Sequence, residues 1–195
     1  IIFANYDDIE ISESAVKNLH NILLKHSSKD KHHKGNYKTL SNKVVANYPD
    51  GSQRVIFNTT EPHLTATEMH NLVEWTNEQL QKQDIHPLLI ISTFIYEFLS
   101  THPFQDGNGR LSRLLTTLLL LKSGYPFIQY VSFESIIEKH KKEYYEALIS
   151  GQKNRNTPNE NITTWTVFFL QCLTELIQKL EEKYFGHEKN QDKRN

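Results

Sequence analysis

Two apolar segments flank one short polar stretch, and this arrangement constrains the chain more than any other feature. From Pro87 onward, Leu88, Leu89, Ile91, Phe94, Ile95, Phe98 and Leu99 follow one another with little polar relief. Proline suits a first helical turn, and apolarity on nearly every side predicts a helix buried over most of its surface. From Asn108 to Lys122 a second helix is expected, with Leu111, Leu114, Leu115, Leu118 and Leu119 inward and Gly124 and Pro126 as its stop. The uncharged runs, Ile85 to Tyr96 and Leu114 to Leu121, fall well short of the roughly 20 residues a membrane span requires. They read as core helices of one domain, which 195 residues are enough to build.

The remaining elements follow from periodicity and turn chemistry. Val16, Leu19, Ile22 and Leu23 behind a Ser12 cap predict an amphipathic helix to about Lys25, followed by a polar loop from His26 to Asn36. The adjacent His32 and His33 in that loop read as solvated rather than as metal ligands, because two neighbours make no closed site. Lys43 to Asn47 and Gln53 to Asn58 lean to strand on either side of Tyr48-Pro49-Asp50-Gly51-Ser52, which predicts a hairpin. Thr65 and Glu68 have capping-box spacing, with Leu64 and Met69 as a staple, so a helix is expected from there to Gln83, burying Leu72, Val73 and Leu80. Two more helices are expected. One spans Phe133 to Ile149, and the other runs from Ile162 to Lys183 with a stripe of Ile162, Trp165, Phe169, Cys172, Leu173, Leu176, Ile177 and Leu180. The polar tail from His187 to Asn195 is expected to fray.

With 22 Lys plus Arg against 23 Asp plus Glu, the net charge is -1, so no global field recruits nucleic acid or an anionic membrane. Phosphate binding must then be local. The single cysteine, Cys172, excludes an intrachain disulfide and suits a reducing cytoplasm. A chain that opens on Ile, with Met69 its one methionine, is expected to continue upstream.

The chemistry concentrates between the two apolar helices, in His102-Pro103-Phe104-Gln105-Asp106-Gly107-Asn108-Gly109-Arg110-Leu111-Ser112-Arg113. Gly107 and Gly109 let backbone approach a ligand, and the helix opening near Asn108 aims unsatisfied N–H groups and a positive dipole end at the same space. That is an anion cradle. Arg110 and Arg113, one helical turn apart, can both clamp the anion, which suggests a polyphosphate. Asp106 beside phosphates fits a ligand for a bridging Mg²⁺, and His102, titrating near neutrality, fits a general base for an attacking hydroxyl. Phe104 is expected to turn inward as an anchor. A P-loop is excluded, since no Gly-Lys-Ser/Thr follows the glycines.

This segment resembles the Fic signature His-x-Phe-x-Asp/Glu-Gly-Asn-Gly-Arg-x-x-Arg, matching at His102, Phe104, Asp106, Gly107, Asn108, Gly109, Arg110 and Arg113. The resemblance implies an all-α Fic-type helical bundle over residues 10–182, with a small β-hairpin flap before the motif helix, an extension at 1–9 and a charged tail at 183–195. It implies protein adenylyltransferase activity, the transfer of AMP from ATP to a Ser, Thr or Tyr hydroxyl of a protein target, with Mg²⁺ as cofactor. Self-modification and a homodimer are compatible with it. His102 would be the base and Asp106 the metal ligand. Gly107, Asn108 and Gly109 would cradle the α- and β-phosphates, Arg110 would contact the phosphates, and Arg113 would secure the γ-phosphate. Tyr144 and Tyr145 resemble an aromatic pair near the adenine, while Trp165 reads as core. The hairpin would be a flap whose second strand, Arg54, Val55, Ile56 and Phe57, pairs with an extended target segment.

The inhibitory Ser/Thr-x-x-x-Glu-Gly/Asn pattern found in many members of that family does not occur in residues 1–195. Such an element would lie upstream, in a separate antitoxin, or nowhere, and the chain as given is expected to be deregulated. Three alternatives stand beside AMP transfer: phosphoryl, UMP or phosphocholine transfer on the same scaffold, removal of AMP, and a catalytically idle nucleotide-binding adaptor. A DNA-binding role has no basic recognition helix to support it.

Overall fold

The helix at Pro87–Thr101 organises the molecule: Ile90, Ile91, Phe94, Ile95, Tyr96, Phe98 and Leu99 are all buried, so neighbours cover it on most sides. The computed structural model describes residues 2–25, 33–47 and 51–185. In chain order the helices are α1 (Ile2–Asn5), α2 (Glu13–Leu23), α3 (Pro62–Lys82), α4 (Pro87–Thr101), α5 (Asn108–Lys122), α6 (Phe133–Lys139), α7 (Lys141–Gln152) and α8 (Thr163–Phe185). The strands β1 (Lys43–Asn47) and β2 (Gln53–Asn58) lie between α2 and α3. The expected all-α bundle with one hairpin is therefore what forms, and α3, α5 and α8 pack directly on α4.

Local signals explain most of the boundaries. Ser12 caps α2 by accepting the Ala15 N–H at 3.2 Å. Pro87 opens α4 and Pro62 opens α3, where the missing proline N–H belongs to a turn with no helical acceptor for it. Trp165 is core, as expected, its indole N–H donating to Ser92 O at 2.8 Å from within the α4 to α8 seam. Cys172 of α8 is buried too, and burial pushes its thiol up to about 12, so it stays a protonated apolar filler.

Three expectations need correction. Thr65 and Glu68 do not form a capping box: α3 starts a turn earlier at Pro62, Thr65 Oγ1 donates back to Glu61 O inside the helix, and Glu68 turns away to Thr60, Thr101 and Arg155. Leu64, the supposed staple, is exposed. The single helix expected over Phe133 to Ile149 is two, broken at His140 (φ -107°, ψ 36°), where Glu175 of α8 accepts from both Lys139 and His140. Ile22 and Ile177 face outward, and buried His20 takes an inward place on α2. His32, the turn residues 48–50 and the tail from 186 lie outside the described residues.

The hairpin is antiparallel, with Val44 opposite Phe57 and Val45 opposite Val55. Ile56 has no partner across the ladder, which makes a bulge. Val44 and Ala46 are buried under it, whereas Val55 is 51% exposed.

Candidate active site

The turn between α4 and α5 is built by side chains that bind its backbone. α4 closes when the His102 N–H donates to Phe98 O at 2.9 Å, with His102 itself left-handed at φ 51°. A non-glycine residue in that region is strained by roughly 1–3 kcal/mol and persists only where its surroundings hold it. Here they do. Asn42 Nδ2 donates to His102 O at 3.3 Å and to Phe104 O at 2.8 Å, and the Lys38 N–H donates to Pro103 O at 2.8 Å.

Phe104 is fully buried, stacked on His20 with ring centroids 3.8 Å apart and set against Tyr37 at 5.5 Å. It anchors the loop as expected. The His20 Nδ1 accepts the Gly35 N–H at 2.9 Å, so Nε2 carries the proton and donates to Asp106 O at 2.9 Å. The buried Asn108 side chain accepts the Phe104 N–H at 2.9 Å and donates to Phe104 O at 2.7 Å, tying both ends of the turn together. Gly107, at φ 81°, starts α5, and Leu111 N–H returns to its carbonyl at 2.8 Å.

One cavity of about 430 Å³ opens over this helix start. Its walls include His102, Asp106, Gly109, Arg110 and Arg113 from the motif, Tyr144 and Tyr145 from α7, and Lys43, Val44 and Val45 from β1. Seven of the expected site residues thus meet in one space. Gly107 and Asn108 do not line it. Gly107 faces His20 and Leu24, and the Asn108 side chain is consumed inside the loop. The backbone N–H groups at this helix start have no intrahelical acceptor. The expected flap residues Arg54, Val55, Ile56 and Phe57 are also outside the wall, which β1 supplies.

Electrostatics separate the roles. His102 Nδ1 lies 3.2 Å from Leu99 O. A carbonyl can only accept, so Nδ1 holds the proton and Nε2 keeps its lone pair. Burial, helped by the Lys38 charge, pulls the imidazole down to about 4, against the Leu99 hydrogen bond and Asp106. The ring is therefore neutral at pH 7. Asp106 is exposed and accepts from Arg110 Nη2 at 3.2 Å, while Arg113 Nη2 donates to Glu134 Oε1 at 2.7 Å. Burial next to Tyr145 drives the Tyr144 phenol upward, so it can donate but not serve as a base. Tyr144 also packs against Trp165 and Phe168, at 5.8 and 6.1 Å. His20, Lys38, Asn42 and Glu134 carry no recognisable spacing, and the sequence offered no sign of them.

The profile of the Fic/DOC family matches residues 10–120. The protein adenylyltransferase Fic of Aedes aegypti is 38% identical over 81 residues, which is 41% of this chain and 15% of that protein. The protein adenylyltransferase fic-1 of Caenorhabditis elegans is 33% identical over 70 residues, 36% of this chain and 14% of that protein. The chain spans only a small fraction of the length of these relatives. Among solved structures, a Fic family protein from Desulfovibrio desulfuricans aligns over 93% of this chain and 51% of its own, with a TM-score of 0.71 and 24% identity. A Fic domain containing signalling protein from Bacteroides thetaiotaomicron covers 92% of this chain and 65% of its own, with a TM-score of 0.69 and 25% identity.

Proposed function

The chain belongs to the Fic/DOC family, and from that premise we propose that it transfers AMP from ATP to a hydroxyl side chain of a protein, itself included. The observation that carries this is the tautomer of His102: Nδ1–H is tied to Leu99 O, so the other ring nitrogen is a free base beside a helix mouth flanked by two arginines. In the proposed reaction the target hydroxyl oxygen bonds to the α-phosphorus as its proton passes to His102 Nε2. The bond from that phosphorus to the bridging oxygen breaks, and pyrophosphate leaves.

The triphosphate would lie across the α5 start, on the bare backbone at Gly109 and the N–H groups there, with Arg110 and Arg113 as clamps. A cavity of this size suits one nucleotide, and its far wall of Tyr144, Tyr145, Ile137 and Leu148 suits an aromatic base. Asp106 fits a Mg²⁺ ligand: it is one exposed carboxylate at the phosphate end, and Mg²⁺ is held by one or two carboxylates plus substrate phosphates. The metal would supply positive charge to offset that of the phosphates. The hairpin would present an open strand edge to an extended segment of the target.

The test is incubation with Mg²⁺ and ATP labelled at the α-phosphate, with intact-mass measurement for an added AMP. Label is expected on protein from the α- but not the γ-position, and His102→Ala is expected to lose at least about 100-fold. Transfer of γ-label would assign phosphoryl transfer instead. Equal labelling by His102→Ala would remove His102 as the base.

A further inference from the structure

A lysine buried beneath the catalytic turn has no place in the mechanism above. Lys38 is 4% exposed, and its ammonium makes three hydrogen bonds: to Asn42 Oδ1 at 2.9 Å, Thr59 Oγ1 at 2.8 Å and Thr101 O at 2.9 Å. Asn42 and Thr59 are oriented as acceptors toward it. The Asn42 amide nitrogen is occupied on His102 O and Phe104 O, and the Thr59 hydroxyl proton is directed at Asn42. Three acceptors require three protons, so the site is built for the charged amine; a neutral one has only two.

No ion pair to a described carboxylate accompanies this buried charge. A buried cation without such a partner is unfavourable, so its position calls for a reason. Thr101 is the last residue of α4, where unsatisfied carbonyls and the negative end of the helix dipole collect. The ammonium is placed on that end, one residue before His102. Residues 38 and 42 together bind four successive carbonyls, those of Thr101, His102, Pro103 and Phe104.

Resting on the transfer activity proposed above, we propose that Lys38 is a positioning residue for His102: its buried ammonium, acting through Thr101 O and Asn42, holds the left-handed turn that aims the imidazole at the reacting hydroxyl. Lys38 touches neither nucleotide nor target. Misplacing a reacting group by about an ångström can cost on the order of 100-fold in rate, so removing the ammonium should act on kcat, while ATP affinity depends on other residues.

Titration gives a signature that a packing role lacks. Burial brings Lys38 down to about 8, with Glu61 and Glu68 holding it up, and among the described residues His102 faces it as well. Above that pH the third proton leaves and the grip on the turn loosens. An arginine at the same position keeps its charge at any working pH.

The experiment measures AMP transfer across pH by the full chain, its Lys38→Arg and Lys38→Met variants, with Mg·ATP affinity and ¹⁵N NMR of the histidines alongside. Wild type should lose kcat as pH rises through about 8. Lys38→Arg should remain active and hold its activity further into alkali. Lys38→Met should lose about 100-fold in kcat, bind ATP within about 3-fold of wild type, and no longer keep His102 as a pure Nδ1–H tautomer. A folded Lys38→Met with wild-type kcat and an unchanged tautomer overturns the proposal. Should Lys38→Met not fold, Asn42→Ser decides by the same readouts, since it frees His102 O and Phe104 O with Lys38 in place. If wild type transfers no AMP, the function proposed above is what fails. The tautomer in these variants then decides alone, an unchanged one sinking the role of Lys38.

Discussion

The turn between α4 and α5 and the hairpin sit against the same cavity and are built on opposite plans. In the turn every carbonyl from Thr101 to Phe104 has a donor, and Phe104 and Asn108 are buried. In the hairpin, β2 carries Arg54 and Val55 out to solvent, its ladder is broken by a bulge at Ile56, and only β1 reaches the cavity. Chemistry on phosphorus needs a base placed to within a fraction of an ångström. A surface meant for extended protein segments gains from an open edge. The contrast predicts that substitutions in the turn act on stability and kcat, whereas those in the hairpin act on the target alone.

The largest effect expected is at Phe104. Replacing a fully buried phenylalanine by alanine costs about 3–5 kcal/mol, and the loss of its stack with His20 also loosens the hold on Asp106 O. Val55→Ala, half-exposed on the hairpin, should stay within about 0.5 kcal/mol. Urea unfolding of both variants measures the difference, and equal losses would abolish the distinction between a stiff turn and an open flap.

Next comes the proton bound to the turn. His102 sits at about 4 when folded and at its ordinary 6.5 when unfolded. Between those values the unfolded chain takes up the proton first. The stabilisation is therefore complete above pH 6.5 and is lost as pH falls toward 4. Between pH 7 and pH 5 the loss attributable to this residue is about 2 kcal/mol. It is read as the difference between wild type and His102→Gln in chemical denaturation at the two pH values. A pH dependence that the substitution leaves unchanged would mean the ring is not held neutral in the fold.

What the sequence made legible, and what it hid, divides along the same line. The bounds of α5 and of both strands follow from local pattern, because leucine periodicity and turn residues act within a few positions. The motif residues fall within twelve positions, so a fold joining two buried helices there brings His102, Asp106, Gly109, Arg110 and Arg113 to one mouth, while Phe104 and Asn108 turn inward to hold it. Glu68 misled because its capping-box spacing to Thr65 is local, while its actual partners, Thr60, Thr101 and Arg155, are set by tertiary packing. The break at His140 depends on Glu175, 35 residues away, and is invisible to periodicity. Lys38 and Asn42 lie in a polar stretch where a buried lysine looks like any solvated one.

On the hairpin itself, Val55→Asp places a charge where a target segment would pack. With about half of the valine already exposed, roughly 1 kcal/mol is at stake, or about 5-fold in kcat/KM for the protein target. The KM for ATP should not change. A matching fall in self-modification would show that the chain's own acceptor also binds at the flap, and wild-type labelling of the target would remove β2 from target binding.

The smallest effect separates the two arginines of α5. Arg110 pairs with Asp106 in the turn just before its own helix, but Arg113 pairs with Glu134 of α6. Glu134 is 67% exposed, so water screens the pair and its net worth is about 0–1 kcal/mol. In the proposed reaction a γ-phosphate held by Arg113 would compete with that carboxylate for the guanidinium. Glu134→Ala should then lower the KM for ATP by up to about 5-fold with kcat unchanged, because the interaction it removes belongs to the empty site and not to the transition state. Glu134→Gln should fall between them, keeping a hydrogen-bond acceptor without the charge. A raised KM in Glu134→Ala would mean that Glu134 holds Arg113 in place for the phosphate, and Arg113 would then belong to the pre-formed turn rather than to the parts that move on binding.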